Sequence, residues 1–172
     1  MAIFYKNFRL QIRNLGPIIL LYFLSITETN TQFNEPFEII SFNLQLIIVY
    51  YWMLKDPSVL GSSHIFFAGL INDIIIGLPM CTSSICYLTV SFVASYIRTV
   101  TVTQSLISDW FTFLIAIFFS NLIYLILINN FSDFEIIYVS LFYNSFFTFL
   151  IYPLFWVVFN QYRAIMMYKK NE

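Results

Sequence analysis

One carboxylate, Asp73, stands in Gly69-Leu70-Ile71-Asn72-Asp73-Ile74-Ile75-Ile76-Gly77-Leu78-Pro79, a stretch that otherwise reads as membrane-spanning helix. An acid there is costly to hold and is a functional candidate by default: it could bind an ion, relay a proton, pin a neighbouring helix or meet another subunit. The other reactive residue types are thinly spread. His64 is the sole histidine. It has no Cys, Asp or Glu at metal-ligating spacing, since Asp73 is nine residues on and on a different helical face. Serines are plentiful, but none joins a His/Asp arrangement, so nucleophilic catalysis lacks its base. Cys81 and Cys86 fall on different faces of a helix, which disfavours a disulfide and fits small packing residues. There is no glycine-rich phosphate loop. These residues predict no enzyme, no cofactor, no metal and no nucleic-acid partner. Asn43, Gln45, Asn121, Asn144 and Thr148 read instead as interhelical hydrogen-bonding groups that, with Asp73, could line a polar cleft.

The elements that must position these groups are apolar. Of 172 residues, 60% are hydrophobic, 21% aromatic and only 10% charged. Soluble domains carry about 25% charged residues. The composition predicts an all-α, polytopic transmembrane bundle forming a single integral membrane domain over residues 1–172. Six apolar segments mark its spans, at approximately 8–27, 37–54, 61–77, 83–97, 109–129 and 135–160. The first is the weakest. Its apolar core is about 12 residues, roughly 18 Å at 1.5 Å per residue. It spans only if the turn Phe8–Arg13 is included with Arg9 and Arg13 snorkelling; the alternative is an interfacial helix. Pro17 is expected early in this helix, where a missing N–H does least harm. The run ends in Thr27-Glu28-Thr29-Asn30, with no small-residue cleavage pattern, so a retained helix is expected. The sixth segment is longer than a span needs and contains Pro153, which predicts tilt or a kink.

Charge sets the topology. With six spans and a cytoplasmic N-terminus, all eight basic residues (Lys6, Arg9, Arg13, Lys55, Arg98, Arg163, Lys169 and Lys170) fall on the cytoplasmic side. The outer loops then hold Glu28, Glu35, Glu38, Asp133 and Glu135 and no Lys or Arg. This is a positive-inside pattern, with both termini inside. Trp52, Trp110 and Trp156 lie toward the inner interface and read as lipid anchors.

In this topology Asp73 lies about 6 Å from the outer end of the third span. No basic residue of its own chain is on that side. Its expected donors are the hydroxyls of Thr82, Ser83 and Ser84 and the N–H groups opening the next helix. A local structural pin, a contact with a partner or ligand, and an incidental interfacial carboxylate all remain open. Gly61, Gly69 and Gly77 recur at intervals of eight and predict a small-residue stripe for close helix packing, with Gly77-Leu78-Pro79 a natural stop and turn.

Tyr50-Tyr51-Trp52-Met53-Leu54-Lys55-Asp56-Pro57, then Phe66-Phe67-Ala68-Gly69-Leu70-Ile71-Asn72-Asp73, Gly77-Leu78-Pro79-Met80 and Tyr87-Leu88 together resemble the bacterial rod shape-determining MreD family. The resemblance covers about 40 residues; the remainder matches only in hydropathy. The family commonly has Arg-Pro where this chain has Lys55-Asp56-Pro57, and glycine where it has Cys81. The resemblance implies a non-enzymatic, multi-pass inner-membrane scaffold subunit of the bacterial cell-wall elongation (rod) complex. It implies a partner, MreC, and through it MreB filaments and peptidoglycan synthases, and a motif formed by Gly69, Asp73, Gly77 and Pro79. It also implies a fold similar to the substrate-binding subunits of energy-coupling-factor vitamin transporters. The alternative function is such an uptake subunit. Those proteins dock their energising partner through a small-residue face on the first helix, which Leu15–Leu24 does not offer.

Overall fold

The computed structural model describes residues 2–27, 42–101, 105–131 and 138–168, with side chains from 15 in the first stretch and up to 165 in the last. Among the described residues the chain is entirely helical: α1 (Ala2–Thr27), α2 (Leu44–Lys55), α3 (Pro57–Leu60), α4 (Ser62–Ile76), α5 (Thr82–Val100), α6 (Leu106–Phe131) and α7 (Tyr138–Tyr168). Two stretches are long and apolar enough to cross a membrane, Leu106–Phe131 and Tyr138–Ile165. Leu15–Thr27, Leu44–Lys55 and Ser62–Ile76 are shorter apolar helices. The outer-loop acids Glu28, Glu35, Glu38, Asp133 and Glu135 lie outside the described residues, as do Lys169 and Lys170.

Local chemistry explains the helix ends. Asn43 caps α2, its Oδ1 accepting from the Leu46 N–H at 3.1 Å. Asn43 is thus a capping residue rather than a mid-span amide. Pro57 opens α3, where its fixed φ suits a first helical position. That one-turn helix was not expected from hydropathy. Gly77 ends α4 in the left-handed region at φ +80°, with the N–H groups of Gly77 and Leu78 both donating to the Asp73 carbonyl at 2.9 and 3.0 Å. This is the glycine-terminated stop that a following Pro79 reinforces. Cys81, at φ +74°, also occupies the left-handed region.

α2 is the central helix. Every residue from Gln45 to Lys55 is buried, as a helix apolar on all sides requires. Around it α1 packs on α4, α4 on α5, α5 on α6 and α6 on α7. Gly16 of α1 lies against the Tyr162 ring of α7, closing the circuit. The outward faces are apolar and uncovered: Phe111 and Phe118 on α6, and Phe142 and Leu154 on α7, are each 60% or more exposed.

Three expectations are corrected. Pro17 is not near a helix start. α1 begins at Ala2, so Pro17 sits in its interior and removes the bond that the Arg13 carbonyl would have accepted. Trp52 does not face lipid; it is 1% exposed, because the central helix offers no outward face. The glycine stripe reduces to one contact. A Cβ on Gly69 would fall 2.6 Å from the Ser84 backbone N, whereas Gly61 precedes α4 and a Cβ on Gly77 would meet nothing within 4 Å. Of these three glycines only Gly69, beside fully buried Ala68, brings two helices close.

Candidate functional site

The turn between α4 and α5 assembles the motif residues. Close approach at Gly69 lets the Ser84 Oγ donate to the Phe66 carbonyl at 3.0 Å. It also sets the start of α5 beside Asp73. The Ser83 N–H donates to Asp73 Oδ1 at 2.8 Å. The Ser83 hydroxyl and the N–H groups of Cys81 and Ser84 turn toward the same carboxylate. Oδ2 is buried with no hydrogen bond of its own. The partial positive charge of an α-helix N-terminus thus stands where a cationic side chain would otherwise be needed. Pro79 supplies the carbonyl that accepts from the Thr82 N–H at 3.2 Å and hydroxyl at 2.8 Å. Asp73 is 0% exposed and so presents no surface to another protein, whereas Met80 in the turn is 75% exposed.

From this turn a polar chain runs into the bundle. The Asn72 Nδ2 donates to Ser83 Oγ at 3.1 Å, and Gln45 Nε2 donates to Asn72 Oδ1 at 3.3 Å. The Tyr87 hydroxyl donates to Gln45 Oε1. Four groups on three helices thereby satisfy one another, as buried polar groups must. On the other side of α2, the Asn43 N–H donates to Thr148 Oγ1 at 2.8 Å. Asn121 Nδ2 donates to Ser145 Oγ at 2.6 Å. Between these groups lies a cavity of about 510 Å³, bounded by α2, α4, α5, α6 and α7. Asn43, Asn72, Asn121, Asn144 and Thr148 line it; Gln45 and Asp73 stand behind that lining. His64 is elsewhere, exposed, with Nδ1 3.4 Å from the Tyr22 hydroxyl. Cys81 and Cys86 are both free thiols. Among the described residues, no three His, Cys, Asp or Glu side chains gather as a metal site.

A second polar cluster was missed in the sequence. At the far end of α2, Lys55 Nζ pairs with Asp109 Oδ2 at 2.6 Å, their side chains 4% and 3% exposed. Trp156 Nε1 donates to the same oxygen at 2.9 Å, and Lys55 Nζ lies 5.8 Å from the centroid of the Trp156 ring. Lys55 is therefore an internal ion-pair partner, not a charge displayed at the surface, and Trp156 is a hydrogen-bond donor, not solely a lipid anchor. Trp110 is also turned inward, its Nε1 donating to the Phe149 carbonyl at 2.8 Å. One sign was available. Asp109 opens the fifth apolar segment on the side where every basic residue gathers, and a lone acid there invites an ion pair.

Comparison of the chain with protein-family models, with curated proteins and with solved structures finds no match.

Proposed function

We propose that the chain is a six-span inner-membrane scaffold of the bacterial rod complex, with both termini cytoplasmic, and that the α4–α5 turn shapes the surface that receives the transmembrane helix of MreC. Membrane residence is supported by the outward faces of the two longest helices. Only 28% of the most apolar window of α6 and 11% of that of α7 is buried. A soluble core helix would be mostly buried, so this apolar coat calls for a lipid solvent.

The observation that carries the rod-complex reading is the geometry of the resembling motif. Gly69 permits close approach, Asp73 pins α5, Gly77 takes a positive φ and Pro79 stops the helix. Residue types shared with the MreD family thus each have a physical reason to be there. Even the departure at Cys81 is informative, since that residue sits at φ +74°, a conformation that suits the family's glycine. Buried Asp73 acts on a partner only through the turn it holds, with exposed Met80 and Ile76 as the presented side chains.

The test is co-purification of MreC with the Asp73→Ala variant. Loss of the Ser83 contact should loosen the turn by about 1 kcal/mol and reduce MreC recovery. Asp73→Asn keeps an acceptor oxygen and should recover more. Unchanged recovery with Asp73→Ala, in a folded variant, would sink the proposal. The cavity favours a second reading, a small-molecule uptake subunit of the vitamin-transporter kind. Tight vitamin binding by the purified protein would put that reading first.

A further inference from the structure

α1 meets the bundle late in its own length. Gly16 lies against the Tyr162 hydroxyl of α7, and the Tyr162 ring is 6.1 Å from Trp52 in the last turn of α2. Six residues on, the Tyr22 ring is 6.2 Å from His64, the third residue of α4. The close of α2 and α7 and the opening of α4 are one end of the bundle, the end that holds the Lys55–Asp109 pair. Past Gly16 the helix runs inward, with Leu21 and Ser25 fully buried. Residues 2–14 therefore extend from this end rather than along the bundle, over about 20 Å at 1.5 Å per residue.

One apolar row runs through both halves of this helix. Phe4, Phe8, Ile12 and Leu15 recur three or four apart, and Ile19, Phe23 and Ile26 continue the row at the same spacing. In the half that enters the bundle the row points away from the protein: Leu15, Ile19, Phe23 and Ile26 are 43% to 62% exposed. Carried past the end of the bundle, such a row would stand in water unless an apolar layer covers it. Lys6, Arg9 and Arg13, three and four apart, form a second row beside it. An apolar row flanked by a basic one is the pattern of a helix that lies in a membrane interface. Arg98 in the last turn of α5 and Arg163 in α7 add charge of the same sign at this end. Gly16-Pro17 stands between the two halves, and Pro17 leaves the Arg13 carbonyl without its helical donor. α1 thus bends most readily where it meets the bundle.

We propose that residues 2–14 of α1 lie along the membrane surface and bind anionic lipid headgroups through Lys6, Arg9 and Arg13. Leu15–Thr27 is then the part of the first apolar segment that enters the bundle. An anionic bilayer meets both rows at once, because its acyl boundary covers the apolar one and its phosphates meet the basic one. This role rests on the membrane reading and is independent of MreC.

Amide hydrogen exchange of the full-length protein would be read by mass spectrometry in two nanodiscs, phosphatidylethanolamine alone and phosphatidylethanolamine with phosphatidylglycerol. Peptides from residues 2–14 should exchange about 100-fold more slowly in the phosphatidylglycerol discs, the equivalent of about 1 kcal/mol for each of the three basic residues. High salt should erase the difference. The triple variant Lys6→Gln/Arg9→Gln/Arg13→Gln should also erase it while peptides of α4 and α5 exchange as in the parent, which reports an intact bundle. Phe8→Ser/Ile12→Ser keeps every charge, removes part of the apolar row and should weaken the protection too. Equal protection of 2–14 in both discs would mean a buried span or packing on the bundle, and no protection in either would mean a free helix; each result overturns the proposal. Full protection in the triple variant overturns it as well. A chain that enters neither disc overturns the membrane reading and this role together, whereas the other contrary results leave the membrane reading standing.

Discussion

Replacing Gly69 by alanine sets two physical effects against each other, and the structure decides between them. Helix propensity alone favours alanine in the interior of α4 by about 1 kcal/mol. Packing opposes it. The added Cβ would fall 2.6 Å from the Ser84 backbone N and 2.9 Å from its Oγ, with the Ser84 Cα also in the way. Two of these three atoms are backbone, so no rotamer change clears the space. The helices must part by at least about 0.8 Å, the shortfall between 2.6 Å and ordinary contact at 3.4 Å, and by more to clear the nearer Ser84 Cα. Overpacking of this kind costs about 1–3 kcal/mol. The displaced Ser84 also weakens its 3.0 Å bond to the Phe66 carbonyl, worth about 1 kcal/mol. That loss roughly cancels the propensity gain, leaving a net destabilisation of about 1–3 kcal/mol. Equilibrium unfolding in mixed micelles with rising SDS mole fraction would measure it. The double variant Gly69→Ala/Ser84→Ala relieves only the Oγ contact and should recover part of the loss. If Gly69→Ala proves as stable as the parent, α4 and α5 do not meet as described and the account of the turn fails.

Other perturbations follow from the same geometry. Cys81→Gly should stabilise the protein by about 0.5–1 kcal/mol, because relief of the left-handed strain at φ +74° exceeds the added unfolded-state entropy; the same SDS titration reads it, and a loss of stability would refute the strain argument. Lys55→Met leaves Asp109 charged and buried and should cost about 3–5 kcal/mol. The double variant Lys55→Met/Asp109→Leu should recover much of that loss, and a double variant no better than the single would count against the pair as the cause.

The apolar run at 61–77 was legible because glycines bound it. The segment at 61–77 is α4, Ser62–Ile76, between Gly61 and Gly77. The segment at 83–97 is most of α5, and that at 109–129 most of α6. Asp73 was legible in part: the donors expected beside it were Thr82, Ser83 and Ser84 or the N–H groups there, and the Ser83 N–H is the one that donates at 2.8 Å. Burial was not legible. Nothing in Leu44–Lys55 distinguishes a helix surrounded by protein from one half-covered by lipid, since both are apolar on every side. Hence Trp52 and Lys55 were assigned to the surface. Composition could not reveal that Asn121 and Asn144 share a cavity wall, because the rotation of α6 against α7 is fixed by distant contacts such as Trp110 on Phe149 and Phe113 on Tyr152.

The polar groups clustered at the two ends of α2 explain its central position. Lipid tails solvate apolar side chains nearly as well as another helix does, so a bilayer gives little reason for one particular apolar helix to sit at the centre. Specificity must come from groups that lipid cannot satisfy. α2 has them at both ends. Near its start, the Asn43 N–H reaches Thr148 on α7, and Gln45 reaches Asn72 on α4 and Tyr87 on α5. At its finish, Lys55 reaches Asp109 on α6, which Trp156 of α7 also contacts. Between them the Tyr50 hydroxyl lies 2.6 Å from Thr112 Oγ1 on α6. A rotation of α2 by one residue would turn these groups away from their partners, and a slide by one turn would shift both ends by about 5.4 Å. Each end alone permits pivoting; together they fix register and rotation. If the bundle crosses a bilayer as proposed, placing the ion pair near a helix end rather than at mid-length also lowers its desolvation cost, since the penalty for a charge there falls away from the midplane. The polar pins thus specify which helix is central, and the apolar surface fills in around that choice.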